Sequence, residues 1–102
     1  MIGIDCTRIS RWINIRPAIR QRMADHFNQE SIEPKYMAKW WACHEAILKA
    51  VGHRPTGKIT FPTDSAPQYT GKECVHLSLT HEGDLVIAVA LLGEAECKRL
   101  LS

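Results

Sequence analysis

One uninterrupted stretch, Tyr36 to Val51, constrains this chain more than any other. It contains no Gly or Pro, and Gly52 follows it directly. Its residues are mostly good helix formers, and a glycine just past the end is a natural C-terminal stop. Pro34 upstream favours a helix start. Apolar residues recur at Met37, Trp41, Leu48 and Val51, with Trp40 and Ile47 widening the stripe. That spacing predicts a buried helix on which the rest of the domain packs.

Glu45 and Lys49 lie four apart on this helix, so they share a face. As a surface pair they would contribute only a few tenths of a kcal/mol. Glu45 also shares its face with Trp41 and Leu48, which predicts a partly buried carboxylate. Such a group needs a partner or a metal.

The chain has 102 residues, which suits one domain spanning 1–102 with a modest core that oligomerisation would help. A formal net charge of +2 is too mild to imply nucleic acid. No apolar run is long enough to span a membrane, and the first residues do not read as a signal peptide. Cys6, Cys43, Cys74 and Cys97 are scattered without a Cys-x-x-Cys pair. They read as reduced thiols of a cytoplasmic protein rather than a disulfide framework.

Met1 to Asp5 reads as a short apolar strand ending on a carboxylate, with Gly3 allowing another backbone to come close. Arg8, Arg11, Arg16, Arg20 and Arg22 follow, with no acid between Asp5 and Asp25. Ile9, Ile13, Ile19, Met23 and Phe27 would form the apolar stripe beneath them, and Pro17 starts the second of two helical pieces. Either this is a solvated face or it docks an acidic partner, for which arginine is well suited. No recognisable nucleic-acid-binding motif accompanies these arginines, so nucleic acid is the weaker form of that idea.

Beyond the central helix, Lys58 to Thr63 reads as a strand and Gln68 to Thr70 as a short return strand, with Asp64 to Pro67 as the turn. Val75 to His81 alternates strictly, and Leu85 to Leu92 is the most hydrophobic run. Together they predict a hairpin. Glu94 to Leu101 suggests a terminal helix. The fold class is therefore α+β: an antiparallel sheet of about four strands packed on a long central helix, plus an N-terminal basic helical segment.

His44-Glu45 is not a zinc-protease motif, because Leu48 stands where the second histidine would be. His76 and His81 are five apart on one strand and face opposite sides. No Gly-rich phosphate loop is present.

Three segments, in order, resemble the holo-acyl-carrier-protein synthases, the small type of 4′-phosphopantetheinyl transferase. The first is Gly3-Ile4-Asp5 with Ile9 and Arg11 at the family's offsets. The second is Met37 to Ala50, which resembles the signature aromatic-x-x-Lys-Glu-Ala/Ser-x-x-Lys-Ala. The third is Val75 to His81, similar to the family's Val-Ser-Ile-Ser/Thr-His strand. The resemblance implies transfer of phosphopantetheine from coenzyme A, the co-substrate, to a serine of an acidic acyl carrier protein. It also implies the release of adenosine 3′,5′-bisphosphate. By the same likeness Asp5 and Glu45 would hold Mg²⁺ and act in catalysis with Lys49. Lys39, His44, Lys49, Ser78, Thr80 and His81 would contact coenzyme A, and Arg11 would dock the carrier. Arg16, Arg20 and Arg22 extend that docking surface by charge. The family's habit of forming trimers with sites between subunits implies a homo-oligomer.

The chain departs from the family pattern at several points. His44 replaces the lysine before the motif glutamate, Trp40 replaces a basic residue, and Arg8 replaces an acid. The Gly52 to Lys58 loop lacks the usual Gly-Thr-Gly. Ala66-Pro67-Gln68-Tyr69 stands where Gly-Lys-Pro-Tyr is common, and the connection before the central helix is short. These departures leave open a second possibility, a non-catalytic relative that binds a carrier protein or coenzyme A. The carrier's pathway, whether fatty acid, polyketide or another, is also open.

Overall fold

The structure is a computed structural model that describes residues 1–63 and 65–93. The helix expected at Glu94 to Leu101, Cys97, and Asp64 of the expected turn lie outside the described residues. Among the described residues, five strands and three helices follow in the order β1 (Ile2–Arg8), α1 (Ile9–Asn14), α2 (Pro17–His26), α3 (Pro34–Val51), β2 (Lys58–Thr60), β3 (Gln68–Thr70), β4 (Val75–Glu82) and β5 (Leu85–Leu92). The architecture is α+β, as expected, but the strands divide differently. The main sheet is three-stranded and antiparallel in the order β1-β5-β4, while β2 and β3 form a separate two-stranded ribbon.

The predicted central helix is α3. It starts at Pro34 rather than Tyr36, because proline fits the first helical turn, where its missing N–H costs nothing. Gly52 ends it in the left-handed region at φ 89°, its N–H donating to Leu48 O at 2.8 Å. The inward face carries Met37, Trp40, Cys43, Ile47 and three alanines, Ala42, Ala46 and Ala50.

That face lies across the sheet where the sheet is smoothest. Gly3 pairs with Ala90 and Asp5 with Ala88. Gly3 sits so close to α3 that an added Cβ would overlap the Ala46 carbonyl oxygen and lie 2.7 Å from Ala50 N. Small residues on both surfaces set this close approach, and it fixes β1 against α3.

β1 does not end on Asp5 but runs on to Arg8, so Asp5 sits in mid-strand. Alternation turns Gly3, Asp5 and Thr7 toward the helix, and leaves Ile2, Ile4, Cys6 and Arg8 exposed on the far face. α1 then starts against the β4–β5 turn. The Asp84 carboxylate accepts from Ser10 N at 2.8 Å and from Ser10 Oγ at 2.6 Å, and Ile9 N donates to Asp84 O at 2.8 Å. Those bonds from Ser10 hold the Asp84 carboxyl below its usual range.

The apolar stripe expected beneath the arginines is only partly inward. Ile13 and Ile19 are exposed, whereas Trp12 and Ala24 are buried. The cause is the break at Ile15 and Arg16, which interrupts the helical phase between α1 and α2. Arg20 closes that break, its Nη1 donating to Trp12 O at 2.7 Å and Ile15 O at 3.1 Å.

Trp12, Trp40, Trp41 and Phe27 form an aromatic cluster beside the α3 core, and the His44 ring lies within it. His44 stacks on Trp41 at 6.0 Å between centroids and lies 4.9 Å from Trp40. Its Nε2 is buried and, among the described residues, has no hydrogen-bond partner. Burial first, and then the Arg54 guanidinium, push its pKa below the usual 6.5, with Glu45 opposing.

Two outcomes are expected. Gly3→Ala should destabilise the fold by about 1–3 kcal/mol in denaturant unfolding, since backbone rather than a flexible side chain would have to move. A variant as stable as the parent would show that the close crossing is slack. For His44, the unfolded chain takes up a proton at higher pH than the folded one. The neutral ring's contribution is therefore complete above about pH 6.5 and is lost as pH falls. Unfolding between about pH 7.5 and about pH 5.5 should show this loss in the parent and less of it in His44→Phe.

Candidate active site

Two elements locked together at Gly3 present the two carboxylates singled out from the sequence. Asp5 comes from the helix-facing side of β1 and Glu45 from α3, adjacent to Ala46, whose carbonyl meets Gly3. Their side chains are largely buried, 17% and 15% exposed, which bears out the expectation that Glu45 is partly buried.

The expected neighbours on α3 do not pair with each other. Lys49 Nζ reaches across to β1, where it lies 3.0 Å from Asp5 Oδ1 and donates to Ile4 O at 2.9 Å. Glu45 is held instead by Arg54, whose Nη1 is 2.9 Å from Oε1. The reason is local. Gly52 stops the helix in the left-handed region and turns the chain, so that the arginine two residues on can reach back to Glu45. Sequence reasoning did not single out Arg54. The only available signal was a cation placed just beyond the predicted helix stop.

Each carboxylate thus has one oxygen engaged by a cation, and among the described residues its second oxygen accepts no hydrogen bond. This donor set suits Mg²⁺, which binds through one or two carboxylates and takes its remaining ligands from water and substrate phosphates. Among the described residues no third His, Cys, Asp or Glu completes a protein-only metal cluster.

A second feature lies between the ribbon and the edge strand β4. A cleft of about 680 Å³ is lined by Lys39 of α3, Ser78, Thr80 and His81 of β4, and residues 61–63 and 65–67. Four of the residues expected to contact coenzyme A therefore share one cavity. A groove of about 480 Å³ shares residues 65–67 with it and continues along 75–77. Asp5, Glu45, Lys49 and His44 do not line the cleft. His44 is turned into the aromatic cluster, so its neutral ring is placed for packing rather than for contact with a phosphate.

The arginines separate into two groups. Arg8, Arg11, Arg16 and Arg22 are exposed. The Arg11 guanidinium lies 5.3 Å from the Trp12 ring and 5.8 Å from the Trp41 ring. Arg20, expected on the docking face, instead spends its guanidinium on the carbonyls of Trp12 and Ile15. Exposed Ile13 and Ile19 stand among the free arginines. On the sheet's far face, Ile2, Ile4 and Leu91 are exposed together, Ile2 directly opposite Leu91.

No family model matches the chain. Among solved structures, the chain is similar to the holo-[acyl-carrier-protein] synthase of Neisseria meningitidis. The TM-score is 0.71, with 24% identity, covering 91% of this chain and 97% of that one. It is also similar to the Helicobacter pylori enzyme crystallised with coenzyme A, at TM-score 0.68 and 20% identity, covering 91% and 100%. At these identities the likeness is one of fold. Among curated proteins, the chain is 34% identical over 99 residues to the holo-[acyl-carrier-protein] synthase of Mycoplasma mobile, covering 92% of this chain and 90% of the relative. The chain therefore belongs to the holo-[acyl-carrier-protein] synthase family of 4′-phosphopantetheinyl transferases.

Proposed function

We propose that this chain, as one domain, transfers 4′-phosphopantetheine from coenzyme A to a serine of an acidic apo acyl carrier protein. The observation that carries the reading is the largely buried Asp5–Glu45 pair, each with one open oxygen, on two elements locked at Gly3. The serine oxygen bonds to the phosphorus that bears the pantetheine arm. The bond from that phosphorus to the adenosine half breaks, and adenosine 3′,5′-bisphosphate leaves.

The parts have separate tasks. Asp5 and Glu45 hold Mg²⁺, which supplies charge neutralisation on the pyrophosphate. Lys49, beside Asp5, adds a cation that pairs with phosphate charge as the leaving group departs. Lys39, Ser78, Thr80 and His81 hold coenzyme A in the cleft, where Lys39 suits a phosphate. The exposed Arg11, Arg16 and Arg22, with Ile13 and Ile19 between them, dock the carrier. Arg20 contributes only by keeping α1 and α2 in place.

The reading includes a homotrimer with sites between protomers. Two observations favour it. The exposed Ile2, Ile4 and Leu91 form an apolar sheet face that a second copy would cover. Asp5 and Glu45 also do not line the cleft of their own chain, so adjoining protomers could combine the two. A cytoplasmic location completes the reading, in keeping with the free thiols of Cys6 and Cys43.

Intact-mass analysis of apo carrier proteins incubated with enzyme, coenzyme A and Mg²⁺ tests the proposal. One carrier should gain the mass of a single phosphopantetheine, and chelation should abolish the gain. Glu45→Gln should slow the transfer by at least about a hundredfold. No mass gain on any carrier would contradict the proposal. Arg16→Glu with Arg22→Glu should weaken carrier binding about tenfold, most strongly at low salt, while coenzyme A binding stays the same. Carrier affinity indifferent to both charge reversals would place the docking surface elsewhere.

A further inference from the structure

Arg54 has no part in the reaction as described so far, yet it holds one of the two carboxylates on which that reaction rests. Its Nη1 is 2.9 Å from Glu45 Oε1, and Lys49 Nζ is 3.0 Å from Asp5 Oδ1. Two negative charges are thus met by two positive ones. Among the described residues no third metal-ligating side chain stands by to add charge. A neutralised pair attracts a free divalent ion poorly, and Mg²⁺ gives up its water reluctantly. Coenzyme A carries the missing negative charge on its pyrophosphate.

The two cations are not equivalent. Lys49 has two partners, Asp5 Oδ1 and the Ile4 carbonyl. Among the described residues the Arg54 guanidinium has Glu45 alone, and its side chain is 57% exposed, so it can give way to water when a metal ion takes over the charge on Glu45. We propose that Arg54 is a gating cation that keeps free divalent metal from Glu45, so that metal and coenzyme A load together. The idea rests on Asp5 and Glu45 being the metal-holding pair. Coupling of this kind is reciprocal: whatever factor coenzyme A adds to metal affinity, metal adds to coenzyme A affinity. Arg54 acts through Glu45 and is therefore a positioning residue.

Mn²⁺ titration of the purified protein, with free ion followed by electron paramagnetic resonance, tests this without any carrier protein present. The parent should bind Mn²⁺ weakly alone and more tightly with coenzyme A. Arg54→Gln should bind Mn²⁺ alone roughly three- to tenfold more tightly, and gain less from coenzyme A. Arg54→Lys, which keeps the charge, should behave as the parent. Loss of a merely structural contact would not raise affinity. Unchanged or weaker Mn²⁺ binding by Arg54→Gln would overturn the proposal, as would no binding by either protein. Transfer by the parent is read separately from carrier mass, so a failed gate leaves the transferase reading standing, and a failed transfer does not decide the gate.

Discussion

The contact between Gly3 and the backbone of α3 fixes the two elements that carry Asp5 and Glu45. A strand and a helix normally pack through side chains that hold their backbones apart. Here glycine on the strand meets Ala46 and Ala50 on the helix, with Ala88 and Ala90 on the neighbouring strand. Removing side chains sacrifices apolar area at the crossing, and the surrounding Trp12, Trp40, Met37 and Ile47 supply the burial instead. What the short approach achieves is placement. Asp5 lies two residues beyond Gly3 and Glu45 one residue before Ala46, so the same contact that closes the core fixes the backbone segments that carry both carboxylates.

The electrostatics follow from that placement. Two largely buried carboxylates cannot stand unpaired, and the chain meets them with one cation from the next turn of α3 and one from the loop after it. Neither pair is bidentate, so among the described residues each acid keeps one oxygen that accepts no hydrogen bond. The surface is divided in the same economical way. One face of the main sheet covers α3, the other exposes Ile2, Ile4 and Leu91 on β1 and β5 beside polar His76, Ser78 and Thr80 on β4, and among the described residues the exposed arginines without an acid partner gather on α1, α2 and the end of β1.

The long helix, the hairpin of β4 and β5, and the partial burial of Glu45 could all be read from the sequence. Each rests on local spacing or on a motif that spans a single element. What could not be read depends on where chains turn and what they meet. Glu45 and Lys49 are neighbours by spacing, yet each finds its partner on another segment, because β1 passes beside Lys49 and the turn at Gly52 brings Arg54 back. Arg20 looks like its exposed neighbours in sequence, but only the break between α1 and α2 reveals the carbonyls it satisfies. His44 replaces a family lysine and invites a cationic reading. In the folded chain its helix face points into aromatic rings, where a neutral imidazole is favoured. The fourth strand of the expected sheet became a separate ribbon, since runs as short as Lys58–Thr60 and Gln68–Thr70 carry no signal for which sheet they join.

The central claim is that one crossing brings Asp5 and Glu45 together as a single metal site fed by the Lys39–Ser78–Thr80 cleft. A crystal structure of the protein with coenzyme A and Mn²⁺, read at the manganese anomalous edge, measures this directly. One anomalous peak ligated by both Asp5 and Glu45 and by a pyrophosphate oxygen, with the nucleotide lying in the cleft, is the predicted result. Manganese bound to only one of the two carboxylates, or coenzyme A bound away from Lys39, Ser78 and Thr80, would contradict it.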